Sequence, residues 1–189
     1  TLGESAFDTI MNLISQKKCL AIGPGLGQAE DTKNLVCRII TKSPVPVIVD
    51  ADGINLLAGK TAILKKLKVP IILTPHPGEM ARLMDITVAD VQHDRIRSAR
   101  DFAVNFNAHV VLKGARTVVA HPDGKAYVNP TGNSGMASGG MGDVLTGVIA
   151  SLMTQGFTPE AAAHAGVYLH GAAADRLAES IAPFGYLAS

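Results

Sequence analysis

Short apolar runs recur along this chain, and each one empties into a turn built from Gly, Pro, Asp or His. Cys19 to Ile22 meets Gly23-Pro24-Gly25-Leu26-Gly27, and Val45 to Val49 meets Asp50-Ala51-Asp52-Gly53. Pro70 to Leu73 meets Thr74-Pro75-His76-Pro77-Gly78-Glu79, and Val110 to Leu112 meets Lys113-Gly114. A strand that is apolar at every position is buried on both faces, which calls for helices on either side of a mainly parallel sheet. Helical segments separate these runs: residues 4–16, with Phe7, Ile10, Met11 and Ile14 on one face, residues 29–41, and more weakly 54–67. Thr87-Val88-Ala89-Asp90 has the form of a capping box opening one long helix to about Phe106. Two further helices are predicted over about 142–155 and 159–179, the second with Thr158 as N-cap and Pro159 as its first residue. Thr117 to Ala120 and Lys125 to Val128 flank Pro122-Asp123-Gly124 as a hairpin, which makes the sheet mixed. The predicted architecture is a three-layer α/β sandwich in one domain over residues 1–189, without repeat or linker.

Composition narrows the function classes. Lys and Arg number 17 against 16 Asp and Glu, a formal charge of +1, so there is no basic excess for general nucleic-acid binding. No apolar run reaches the roughly 18 residues that span a bilayer, and no membrane partner is expected. Cys19 and Cys37, each within an apolar stretch, read as core thiols of a reducing compartment. The first residues, with Glu4 and Asp8, lack the basic start and apolar core of an export signal, so a cytoplasmic location is expected. The chain begins with Thr and is expected to be a processed product or an excised piece.

In open α/β sheets ligands sit beyond the carboxyl ends of the strands, so the turns named above should share one edge. The strongest signal is Asn133-Ser134-Gly135-Met136-Ala137-Ser138-Gly139-Gly140-Met141-Gly142-Asp143, running into a helix. Glycines let successive N–H groups converge, and a helix start adds its positive dipole end. That combination suits a phosphate or a developing anion, and Asp143 is placed to accept a proton from a hydroxyl. Neither the P-loop nor the dinucleotide fingerprint is present, because the glycine spacings at Gly53–Gly59 and Gly23–Gly27 are wrong for both. His76 and Glu79 fit equally a stiffened polar loop and the start of a helix. Asp50 and Asp52 fit a divalent cation, a polar substrate, or turn and capping roles. Lys113-Gly114-Ala115-Arg116-Thr117 alone reads best as a solvent-facing turn, with a nucleotide contact as the functional alternative. His164 and His170, six residues apart, lack the spacing of a metal pair and read as structural.

Taken together, GPGLG (23–27), VDADG (49–53), TPHPGE (74–79), VLKGART (111–117) and NSGMASGGMGDVLTG (133–147) resemble the ADP/ATP-dependent NAD(P)H-hydrate dehydratases of the ribokinase-like superfamily. The resemblance covers nearly the whole chain and keeps the family's motif order. It implies a ribokinase-like domain incomplete at its N-terminus, since family members carry further segments before this start. It also implies a repair reaction that restores NAD(P)H from its hydrate at the cost of ADP or ATP, with Mg2+. Carried over by position, the nucleotide site comprises Lys113, Gly114, Ala115, Arg116 and Thr117 with Asn133, Ser134, Gly135, Met136, Ala137, Ser138, Gly139, Gly140, Met141 and Gly142. Gly25, Gly27, His76, Glu79 and Asp143 fall at the hydrate site, Asp143 as the catalytic base. No metal ligand is assigned. The resemblance is compatible with a homo-oligomer and with a fused or partner epimerase domain. The alternative is a hydroxyethylthiazole or hydroxymethylpyrimidine kinase of the same superfamily, which would use the same loop and Asp143 but release a stable phosphorylated product. The TPHPGE and KGART segments favour the dehydratase. A nucleotide-binding module without catalysis would leave Asp143 dispensable.

Overall fold

The computed structural model describes residues 3–182 and 185–188. Its strands are β1 (Leu20–Ile22), β2 (Val47–Val49), β3 (Ile71–Leu73), β4 (His109–Leu112), β5 (Val118–Ala120) and β6 (Ala126–Val128). They form one sheet in chain order, parallel from β1 to β4 and antiparallel from β4 through β6. Three-layer packing follows from how the central strands divide their side chains. Val47, Val49, Ile71, Leu73, Val110 and Leu112 enter one core, while Ile48, Ile72 and Val111 enter the other. The two-residue period of a strand therefore serves two cores at once.

The first core is closed by α2 (Glu30–Lys42), α3 (Asp52–Leu57), α4 (Pro77–Met84), α5 (Val88–His93) and α6 (Arg95–Phe106). These lie in the crossovers between neighbouring parallel strands, and successive right-handed connections in one direction put them all on the same face. An additional helix, α1 (Phe7–Ile14), packs on α2 through Ile14, Leu35 and Ile39. The opposite face is covered by α7 (Met141–Thr154) and α8 (Pro159–Ser180), which contribute Leu145, Ile149 and Val167.

Three expectations need correction. The helix predicted from Thr87 to Phe106 is two helices, broken at Asp94 (φ −146°, ψ 86°). Asp94 accepts from the Arg97 amide at 2.8 Å, so its side chain caps a new helix instead of continuing the old one. The weakly helical 54–67 stretch is α3 followed by a 3-10 turn at Thr61–Lys66. Cys19 and Cys37 are half-buried rather than fully within the core, and burial raises both thiols above their ordinary pKa. No helix among the described residues is long and apolar enough to cross a membrane.

Candidate active site

Parallel β1 to β4 deliver their following turns to one edge, and β6, antiparallel to β5, brings the glycine-rich segment there as well. The turns are laced together across the sheet. Asp50 N donates to Ile22 O, Thr74 N to Val49 O and Lys113 N to Pro75 O at 2.8–3.1 Å. Asp52 accepts from Gly27 N at 2.8 Å, so it ties the first two turns together, and it also stands in the first turn of α3. Gly25 and Gly27 lie in left-handed backbone facing open space.

At the centre stands a buried polar network. Asp50, 1% exposed, accepts from Lys113 Nζ at 2.7 Å and from the Thr146 hydroxyl at 2.8 Å. Lys113 Nζ is 3.8 Å from Glu79 Oε2, and Glu79 is itself buried. Glu79 also accepts from the His76 amide at 2.7 Å, while His76 Nδ1 accepts from the Gly78 and Glu79 amides. TPHPGE is thus a helix start, with His76 as the N-cap of α4 in a capping box. With Nδ1 accepting, the neutral ring carries its proton on Nε2, on a side chain 51% exposed.

A β-carbon placed on Gly142 would lie 3.3 Å from Lys113 Nζ. The lysine ammonium therefore sits against the first turn of α7. A cation at a positive helix end is electrostatically unfavourable by itself. Asp50 offsets it from below, and an anion arriving from above would meet the ammonium and the free α7 amides together. Asp143, in that same first turn, is exposed at the edge.

Beside this point lies a cavity of about 660 Å³. Lys113 to Thr117 form one wall and the segment from Thr131 to Gly142 most of another. Gly135, Gly139 and Gly140 of the predicted nucleotide set do not line it, and Gly25, Gly27, His76, Glu79 and Asp143 lie outside it along the edge. Lys113 to Thr117 are therefore cavity wall and not merely a surface turn. Sequence reasoning missed the back of the cavity, where α8 contributes Val167, His170 and Gly171. Those three share a helix face, and a glycine inside a long helix was the available signal. Also missed was Asp175, which accepts from Gly132 N at 2.8 Å and from Asn133 Nδ2 at 3.0 Å. It holds the glycine-rich segment from behind, and the Tyr186 hydroxyl adds a hydrogen bond to Asn133 Oδ1. Among the described residues no group of three His, Cys, Asp or Glu side chains is arranged around a metal position.

The mixed sheet with helices on both faces and its site at the strand ends is the fold of the ribokinase-like proteins: a ribokinase-like superfamily protein of Enterococcus faecalis superposes with a TM-score of 0.79 at 29% identity, covering 95% of this chain and 62% of that one. Residues 4–189 match the NAD(P)H-hydrate dehydratase family, and the chain belongs to it. The bifunctional NAD(P)H-hydrate repair enzyme of Moorella thermoacetica is 50% identical over 177 residues, covering 94% of this chain and 33% of that protein. The ADP-dependent (S)-NAD(P)H-hydrate dehydratase of Neisseria meningitidis is 44% identical over 182 residues, covering 94% and 62%. The Bacillus subtilis ADP/ATP-dependent NAD(P)H-hydrate dehydratase, co-crystallised with ATP and Mg2+, superposes with a TM-score of 0.80 at 39% identity, covering 90% and 60%. This chain thus spans between a third and two thirds of the length of these relatives.

Proposed function

We propose that the chain carries the nucleotide-dependent dehydration of NAD(P)H hydrate, with ADP or ATP as phosphoryl donor. The observation that carries this reading is the placement of Lys113 against the first turn of α7. It joins the β4 turn and the glycine-rich segment into one anion site beside the cavity. The nucleotide occupies the cavity, and the amides at the start of α7 and Lys113 take the charge of the phosphoryl group in transfer. The hydrate lies along the open edge by Gly25, Gly27 and His76, with Glu79 anchoring His76 from beneath. Asp143 accepts the proton of the hydrate hydroxyl as its oxygen attacks phosphorus, and the nucleotide leaves one phosphate shorter. The ring nitrogen then expels the new phosphate, and loss of a ring proton restores the dihydronicotinamide. Net water has moved into nucleotide hydrolysis.

Mg2+ commonly binds through one or two carboxylates together with substrate phosphates. Asp50 and Glu79 are the buried carboxylates here, both already facing Lys113, which fits an ion held chiefly by the nucleotide. When bound, it would neutralise charge between the phosphates. The implied substrate supports a cytoplasmic location, and the bifunctional relatives support a fused or partner epimerase domain.

The test supplies NADPH hydrate, Mg2+ and either nucleotide and follows the return of dihydronicotinamide absorbance. Nucleotide-dependent recovery is expected. A stable phosphorylated product without recovery would replace this reading with the kinase one.

A further inference from the structure

Arg95 opens α6 and does not line the cavity, yet its guanidinium supports the cavity wall from behind. Nη1 donates to the carbonyl of Ala115, and Nη2 donates to those of Leu112 at 3.0 Å and Lys113 at 3.2 Å. Gly114 between them has φ +138°, and a β-carbon there would lie 3.0 Å from Nη2 and 3.4 Å from Cζ. The loop backbone lies against the guanidinium: a β-carbon at 114 would push it back by a few tenths of an ångström, and the positive φ itself favours glycine.

This arrangement is costly in itself. Nε is buried and lacks a hydrogen-bond partner, and no carboxylate lies within ion-pair range of Arg95 among the described residues. Half-burying a charge without a counter-charge carries a desolvation cost, so what the clamp does to the loop matters. In a planar trans peptide the N–H points opposite to the C=O. Drawing the Lys113 and Ala115 carbonyls back to Arg95 turns the next amides, those of Gly114 and Arg116, to the other side. Both of those residues line the cavity.

We propose that Arg95 is a positioning residue of the nucleotide site, whose forked donors hold the 113–116 loop with its amides presented to the bound nucleotide. The inference rests on the cavity being the nucleotide site. It requires the fork and not the charge alone, because the three carbonyls are held by two separate nitrogens of one planar group, where an ammonium offers a single nitrogen on a flexible stem.

The experiment is calorimetric titration of ADP into the wild type, Arg95→Ala and Arg95→Lys, with each fold checked by circular dichroism. Both variants are expected to lose about tenfold or more in ADP affinity. Ethylguanidinium is expected to restore binding to Arg95→Ala, and the KM for the hydrate should stay within about twofold of the wild type. ADP affinity unchanged in a folded Arg95→Ala, or full affinity in Arg95→Lys, would overturn the proposal. Wild-type amide exchange reports without any variant. Gly114 and Arg116 should slow on saturation with ADP, and unaltered exchange would count against the role even if Arg95→Ala failed to fold. A wild type that binds neither ADP nor ATP would overturn the nucleotide reading itself, and with it this role.

Discussion

Lys113 Nζ lies 2.7 Å from Asp50 Oδ1, joining the end of β4 to the end of β2 beneath the first turn of α7. The second carboxylate oxygen of Asp50 holds Thr146 on α7 itself. One buried carboxylate thus fixes the distance between the β4 turn and the helix start that together form the anion site.

Asp50→Ala strands a mostly buried ammonium and frees the Thr146 hydroxyl. Removing one partner of a buried pair typically costs about 3–5 kcal/mol. A loss near the lower end is expected, because Lys113 keeps 20% exposure and retains Glu79 at 3.8 Å. Urea denaturation reads it directly, and an unshifted midpoint would show the pair to be dispensable.

Asp143 tests the chemistry without testing the scaffold, since its side chain is exposed and no other side chain is hung from it among the described residues. Asp143→Asn is expected to lower turnover by about 100-fold or more while fold and helix start persist. ADP affinity should remain within about threefold. Near-normal turnover in this variant would refute the proton-acceptor assignment.

Gly171 on α8 lets the helix touch the segment that opens the glycine-rich loop. A β-carbon there would lie 2.3 Å from Thr131 Oγ1 and 2.8 Å from the Thr131 carbonyl carbon. Gly171→Ala should force loop and helix apart, costing about 1–3 kcal/mol as overpacked sites do, and should weaken ADP binding. Asp175→Ala, which releases Gly132 and Asn133, should weaken binding in the same way with a smaller stability cost. The two are compared by thermal melts alongside titration, and undiminished ADP affinity in both would show that α8 does not shape the site.

A row of three histidines ties β4, β5 and α8 at the end of the sheet away from the site. His109 Nδ1 is 2.7 Å from His121 Nδ1, and His121 Nε2 is 2.8 Å from His164 Nε2. An added proton on His121 gives it two N–H groups that both donate outward, but a further added proton on a neighbour turns N–H against N–H. Burial first, then charge from the neighbouring rings, lowers His109 from 6.5 to about 4; burial likewise lowers His121 and His164. Glu160 and Asp123 face His109 and His121 and oppose the shift, and Lys125 reinforces it at His121. Because the folded pKa lies below the unfolded one, the unfolded chain binds more protons in this window. Stability is therefore present in full above about pH 6.5 and lost between there and about pH 4. His109→Gln should flatten the melting temperature across that interval, and an unchanged slope would place the acid sensitivity elsewhere.

Much of this was legible in the residues. Strands apolar at every position announced a sheet buried on both faces, and Val47-Ile48-Val49 divides its side chains between two cores as that reading requires. The turns follow strands of an open α/β sheet, and that alone placed them on one edge. The helix break at Asp94 was not legible because Asp suits a cap or a polar helix face equally until its neighbours are known. Asp50 and Asp52 look alike in sequence, yet one is buried against a lysine and the other laces two surface turns. That difference depends on partners 63 and 25 residues away, beyond the reach of local pattern. Of the two readings of His76 and Glu79, the helix start is the one seen, with His76 as N-cap and Glu79 at the third position; the local residues could not decide it because a capping box and a stiffened polar loop use the same residue types.

The one-sided winding of the sheet has a consequence for biosynthesis. Every crossover helix lies on a single face, so Ile48, Ile72, Val111 and Val119 wait for α7 and α8 to cover them. Both helices follow all six strands in the chain. Until they arrive, a nascent chain carries a strip of β-branched side chains on a nearly formed sheet, the kind of surface that chaperones recognise and that associates wrongly when left bare. Thr146 reaches Asp50 across 96 residues, so the anion site closes in the same late step that buries this strip. Docking of α7 thus serves both the anion site, through Thr146, and the covering of that strip, through Leu145 and Ile149.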